Sequence, residues 1–128
     1  MRLLDSSTPS AKFLKTISNA KLSREAASRI AQLRLQHAPL NSYLFKFKRV
    51  DKANCPACGD EEESTTHFLL GCPVYAHERW PLAQLARKKR KALTLETLLG
   101  DPDFAIPLAN FIEGTNRFKN NIGEHSQN

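Results

Sequence analysis

Cys55-Pro-Ala-Cys58-Gly-Asp-Glu-Glu-Glu63-Ser-Thr-Thr-His67-Phe-Leu-Leu-Gly-Cys72-Pro73 contains all three cysteines of the chain and spaces them as C-x2-C-x8-H-x4-C. An odd number of thiols cannot close a full set of disulfides, and clustered thiols outside a secretory context more often bind metal. Zinc takes four soft or borderline ligands at tetrahedral angles, and three thiolates with one imidazole form a common structural set. The C-x2-C half closes a tight turn that faces both sulfurs toward one ion, and Pro56 and Gly59 suit that turn. The H-x4-C half lets a helical turn present His67 while the departing chain brings back Cys72. Cys55, Cys58, His67 and Cys72 are therefore the expected ligands of one structural Zn2+, with no coordination position left open for chemistry. Two other readings stand beside it. The thiols could simply fill a core, since free cysteine behaves as a small hydrophobe. His77, five residues after Cys72, competes with His67, although the spacing favours His67.

The segments on either side read as helices. Phe13, Leu14 and Ile17 share a face in a short helix over 11–17. Ser23 is a good N-cap for a helix running to about His37, with Ala26, Ala27, Ile30, Leu33 and, last, His37 on the inner face, and Pro39 beyond its end. Asn41 or Ser42 can cap a shorter helix that turns Leu40, Leu44 and Phe47 inward and Lys46, Lys48 and Arg49 outward, although Tyr43 and Phe45 leave that face ambiguous. After the acidic loop, Ser64 or Thr65 can cap the turn bearing His67. Pro73 suits a first helical position leading to Trp80, which is expected to become exposed only when the metal is removed, and Pro81 breaks or restarts the helix. Leu82, Leu85 and Ala86 line the next inner face, Thr94 caps a helix over 95–99, and Asp101-Pro102 opens the last one. That last helix carries the stripe Ile106, Leu108, Phe111, Ile112, Thr115 and Phe118, kinked or split at Pro107. No segment alternates convincingly at period two. The predicted fold is mostly α, a small single-domain helical module stapled by the zinc site, with little or no β-structure. Its parts are basic N-terminal helices (1–50), the knuckle and following helix (51–80), C-terminal helices on the same core (81–118) and a disordered tail (119–128).

The chain has 128 residues and a net charge of +6, unevenly spread. Residues 1–50 hold ten bases against two acids and 73–100 hold six against two, whereas 51–72 hold one base against five acids. Two basic segments flanking an acidic one favour a polyanion partner. The candidate contacts are Lys46, Lys48 and Arg49 on one side of the knuckle and Arg87, Lys88, Lys89, Arg90 and Lys91 on the other. The second run also complements the macrodipole at a helix C-terminus. No apolar run approaches the ~20 residues needed to span a bilayer, and the N-terminus lacks the apolar segment of a secretion signal. An intracellular protein without a membrane partner is expected. Phosphate-binding, nucleophile-elbow and zinc-protease motifs are absent, and the contiguous acids 60–63 are no placed carboxylate pair, so neither an enzyme nor a small-molecule substrate is expected.

The order of these features resembles a known family. Leu22-Ser-Arg-Glu-Ala-Ala27, Ala31-Gln-Leu-Arg-Leu-Gln-His37, Pro39-Leu-Asn41, Tyr43-Leu44, Cys55-Pro-Ala-Cys58-Gly59, Glu63, His67-Phe-Leu-Leu70, Cys72-Pro73, Tyr75 and Arg79 follow one another as they do there. The chain is similar to the C-terminal zinc-binding CCHC region of reverse-transcriptase polyproteins of non-LTR (LINE-type) retrotransposons, fungal type, over about residues 3–118. The resemblance implies that Cys55, Cys58, His67 and Cys72 ligate zinc. It also implies that the module holds RNA or DNA with low sequence specificity near the reverse transcriptase part of a parent polyprotein. The polymerase and ribonuclease H domains of such a polyprotein are not in this sequence. The gap of eight residues departs from the four of retroviral nucleocapsid knuckles, so their way of stacking bases does not carry over. A zinc-stapled protein-interaction module, and a decayed retroelement fragment, are the competing expectations.

Overall fold

The computed structural model describes residues 22–118; the expected helix over 11–17 and the expected disordered tail over 119–128 lie outside that range. Among the described residues there are five α-helices and no sheet, only one isolated antiparallel bridge between Asn54 and Glu62. The mostly α architecture is what the periodicity predicts.

Helix α1 (Arg24–Arg34) starts where Ser23 accepts a hydrogen bond from the Ala26 N–H at 3.0 Å, with Glu25 in the first turn and Arg34 in the last. Ala26, Ile30 and Leu33 form its buried face, at the spacing of one helical stripe. It ends three residues short of His37. Gln36 adopts a left-handed conformation (φ 61°) of the kind that stops helices. The His37 N–H then closes the turn on the Gln32 carbonyl at 2.8 Å. His37 is exposed and rests its ring against Tyr43.

Helix α2 (Asn41–Lys46) corrects two expectations. Neither Asn41 nor Ser42 caps it; the N-cap is Leu40, which offers no side-chain acceptor. The first turn of any helix leaves N–H groups without a partner in the helix itself. Here they go to Glu63, Asn41 donating to its carboxylate (2.7 Å) and Ser42 to its carbonyl (3.1 Å). Leu40 is buried and Leu44 half-buried, but Phe47 is exposed: the helix stops at Lys46, leaving Phe47 as the C-cap beyond its inner face, and Lys48 then takes a left-handed conformation (φ 59°).

A π-helical turn (His67–Gly71) and a 3-10 turn (Pro73–Tyr75) lead into α3 (Ala76–Lys88). Pro81 sits inside α3 and does not break it. His77, whose carbonyl would have bonded the missing N–H, is exposed like Pro81 itself, so the proline falls on the solvent side of the helix. Trp80 lies two residues before the buried Leu82, about 200° around the helix, and is exposed with the knuckle intact. Its expected burial is corrected. Thr94 caps α4 (Leu95–Gly100) by accepting from the Thr97 N–H at 3.1 Å, and Leu98 and Leu99 are buried. Asp101 caps a 3-10 turn (Pro102–Phe104) that runs into α5 (Ala105–Thr115). Pro107 falls in the first turn of α5, where its missing N–H has no partner to lose, so it neither kinks nor splits the helix. The buried stripe is Ala105, Leu108, Ala109, Phe111 and Ile112; Ile106 falls off it and is exposed.

Helix α5 packs against α1, α3 and α4. One hydrophobic cluster joins α1 (Ile30, Leu33) through Phe68 and Leu69 of the π-turn to Leu82, Leu98, Leu108 and Phe118. Phe68 is its hub. The rings of Tyr75, Phe111 and Phe118 meet it edge-on, with centroids at 5.6 Å, 5.5 Å and 5.5 Å respectively, the arrangement that aromatic quadrupoles favour. The residue after His67 is thus sunk in the core. No helix among the described residues is long and apolar enough to cross a membrane.

Candidate metal centre

Backbone hydrogen bonds shape the first half of the centre. The Cys55 N–H donates to the Glu61 carbonyl (2.7 Å), the Gly59 N–H returns to the Cys55 carbonyl (2.8 Å), and the Glu63 N–H donates to the Ala53 carbonyl (2.8 Å). Gly59 takes φ 74°, a conformation that a side chain would strain. This reversal aims the Asp60 and Glu61 N–H groups at the Cys58 sulfur, and those dipoles bring its thiol down to about 7. Cys55 behaves oppositely. Burial pushes its thiol up to about 11 against the N–H groups of Cys58 and Ala57.

The second half rests on the π-turn. The Ser64 hydroxyl oxygen accepts from the His67 N–H (3.0 Å), and the Cys72 N–H bonds to the His67 carbonyl (2.8 Å). That wider turn, rather than an α-turn, spaces His67 and Cys72. The Arg79 guanidinium, from α3, donates to the carbonyls of Leu69 (2.8 Å), Cys72 (3.0 Å) and Phe68 (3.4 Å).

These two halves bring Cys55, Cys58, His67 and Cys72 together, with one ligand atom from each and all four within 4.8 Å of one another. The cluster can hold a metal ion. Cys55 Sγ and Cys72 Sγ are 3.9 Å apart, and Cys58 Sγ lies 3.4 Å from His67 Nε2. A tetrahedral zinc would set about 3.8 Å between two sulfurs and about 3.6 Å between sulfur and nitrogen, from bonds of about 2.3 and 2.0–2.1 Å. The donor set and its spacing are compatible with one structural zinc. His77 is exposed and outside the cluster.

The four consecutive acids have separate surroundings. Asp60, Glu61 and Glu62 are exposed, but Glu61 reaches the far side of the histidine, its Oε1 3.3 Å from His67 Nδ1. A carboxylate there fixes the ring so that Nε2 points at the metal position. Glu62 meets the Ser42 hydroxyl. Glu63, the last of the run, is fully buried. Arg117 donates to both of its oxygens, at 2.7 and 2.8 Å, and to Asn41 Oδ1 at 3.3 Å. Burial alone would lower the Arg117 guanidinium, but the Glu63 carboxylate outweighs it and holds it above its ordinary value. Sequence reasoning missed the pairs Glu61–His67 and Glu63–Arg117. Neither has a local signature, and the second spans 54 positions.

The basic candidates divide. Lys46, Lys48 and Arg49 are exposed at the end of α2, and Arg87, Lys88 and Arg90 are exposed at the end of α3. None of these six forms an ion pair among the described residues. Lys89 and Lys91 are already engaged, with Asp103 and Asp101 respectively. No protein-family model, curated protein or solved structure matches the chain.

Proposed function

We propose that the chain is a zinc-stabilised helical module that binds nucleic acid, as its resemblance to the C-terminal region of LINE-type reverse-transcriptase polyproteins implies. The observation that carries this reading is the closed Cys55–Cys58–His67–Cys72 cluster, flanked in the sequence by two groups of exposed cations, Lys46, Lys48 and Arg49 and Arg87, Lys88 and Arg90, that have no ion-pair partner among the described residues. Four protein ligands saturate a tetrahedral ion, which supports a structural zinc and no catalytic role. The burial and neutralisation of Glu63 remove one of the charges that would repel phosphate beside the knuckle. In a parent polyprotein such a module would hold RNA or DNA near the polymerase.

A salt-dependent titration of the zinc-loaded chain with single- and double-stranded probes tests this. With about five phosphate contacts, the log–log salt slope is expected near −4.5 on duplex and about −3.5 on single strands. Neutralising Arg87, Lys88 and Arg90 together should weaken every probe sequence alike and flatten the slope. Neutralising Lys89 and Lys91 should do less, since Asp103 and Asp101 already hold them. Absence of binding even at low salt would overturn the reading. A zinc-stapled protein-interaction module would then take its place, favoured by Val74 and Trp80, which stand more than half exposed just beyond the knuckle.

A further inference from the structure

We infer that the turn from Tyr43 to Arg49 binds single-stranded nucleic acid, with an unpaired base stacking on Phe47, a second exposed ring at Phe45 available to another base, and Lys46, Lys48 and Arg49 holding the phosphates. The inference rests on the nucleic-acid reading above and names the class of strand and the surface that takes it.

The motive is a pair of aromatic rings in the wrong place for a core. Phe45 is 49% exposed and Phe47 56% exposed, although Leu40, at the start of the same segment, is buried. Contiguous exposed apolar surface rimmed by charge marks an interaction site. Cations near a helix C-terminus complement its dipole, which accounts for the charges but not for two open rings among them. The Phe47 ring is also held in place. Tyr43 packs on it with centroids 4.9 Å apart, and His37 packs on Tyr43 at 5.4 Å. Little freedom therefore remains to be lost on stacking.

The charges sit on an equally fixed backbone. Lys48 takes the left-handed conformation, its N–H donates to the Phe45 carbonyl at 3.0 Å, and the Arg49 N–H closes on the Leu44 carbonyl at 2.8 Å. Lys46, Lys48 and Arg49 have no ion-pair partner among the described residues, whereas Lys89 and Lys91 do. The other end of α2 is tied to the knuckle through Glu63, so the metal centre and the platform share one support. Aromatic rings interleaved with unpaired cations suit a flexible strand with free base faces. A duplex hides those faces and offers this surface only its phosphates.

Fluorescence anisotropy of the zinc-loaded full chain with labelled oligo-dT, oligo-U and a duplex tests the inference. Phe45→Ala combined with Phe47→Ala should weaken both single strands roughly tenfold or more, with the duplex affinity and the salt slope unchanged. Phe45→Leu with Phe47→Leu keeps the apolar bulk, removes the rings and should lose single strands likewise. Lys46→Gln, Lys48→Gln and Arg49→Gln together should weaken strands and duplex alike and flatten the single-strand slope by up to about 2. Glutamine is suited to the Lys48 position because Gln36 already holds that backbone conformation in this chain. If the native protein binds and both aromatic variants bind single strands as well as it does, the stacking platform is overturned while the nucleic-acid reading stands. If the native protein binds no probe at low salt, both fall. If poly-glutamate displaces oligo-dT and loses affinity equally in the aromatic variants, the surface serves acidic proteins, and the inference is overturned.

Discussion

Between Ala53 and Glu63 the chain buries two of 11 residues, Cys55 and Glu63; between Leu98 and Ile112 it buries eight of 15, all of them apolar. The second segment can be held by the hydrophobic effect. The first cannot. Its shape depends on a handful of backbone bonds, a thiol cluster and one buried ion pair, which makes it the part of the molecule most dependent on bound metal and on charge. The two regions meet at His67–Leu69, where one side of a single turn supplies a ligand and the other supplies the hub of the core.

Removing the metal should separate the two regions most sharply. Structural zinc sites contribute on the order of 10–16 kcal/mol of apparent binding energy, comparable with or larger than a domain's whole net stability. Chelation, or Cys72→Ser, should speed amide hydrogen exchange over residues 53–75 and the first turn of α2. Amides in α5 should stay protected longest. Uniform loss of protection along the chain would break the division.

The ion pair tests the same seam without touching the metal. Arg117→Ala would strand a fully buried carboxylate, and breaking such a pair costs about 3–5 kcal/mol. Urea unfolding of the zinc-loaded protein measures it. Glu63→Gln with Arg117→Met should recover a good part of that loss, since no buried charge is then left alone.

Acid should release the metal in a predictable way. A thiol must give up its proton to bind zinc, so falling pH weakens binding by about tenfold per unit for each proton displaced. Cys55, near 11, gives up a proton throughout the neutral range, and Cys58, near 7, adds a second as the pH falls through that value. The slope of log affinity against pH should therefore steepen by about one as the pH falls through about 7, on top of the protons that the other ligands release. A competitive chelator titration from pH 8 to about pH 5.5 follows this; a slope that stays constant would contradict the assigned contrast between the two sulfurs.

The smallest effect sharpens the role of Glu61. Partners of this kind are worth about 10–100-fold in metal affinity. Glu61 stands largely in solvent with a 72% exposed side chain, so the lower end applies. Glu61→Gln should weaken zinc binding about tenfold with the fold unchanged, while His77→Ala should leave it as it was.

What was legible in the sequence is what depends on near neighbours. The ligand spacing is local, and so are the Ser23 and Thr94 caps, whose hydroxyls serve N–H groups three residues on. The helix ends were harder to place because the left-handed positions that stop the chain are filled by Gln36, Lys48, Arg90 and Asn116. None of them is the glycine that usually signals such a turn. The cap of α2 comes from Glu63, 22 positions away, and its partner Arg117 lies another 54 away. In the sequence Glu63 is one of four contiguous acids; only the folded chain separates it from its neighbours. Pro81 and Trp80 misled for a related reason, since whether a proline or an aromatic ring is tolerated on a helix depends on which face meets the core.

X-ray absorption at the zinc edge, on protein purified without chelator, tests the central claim most directly. The account predicts one zinc per chain with three sulfurs at about 2.3 Å and one nitrogen at about 2.0–2.1 Å, the nitrogen signal being lost in His67→Ala and kept in His77→Ala. Protein that carries no zinc and has all three thiols free, or a nitrogen ligand that survives His67→Ala and disappears in His77→Ala, would contradict it.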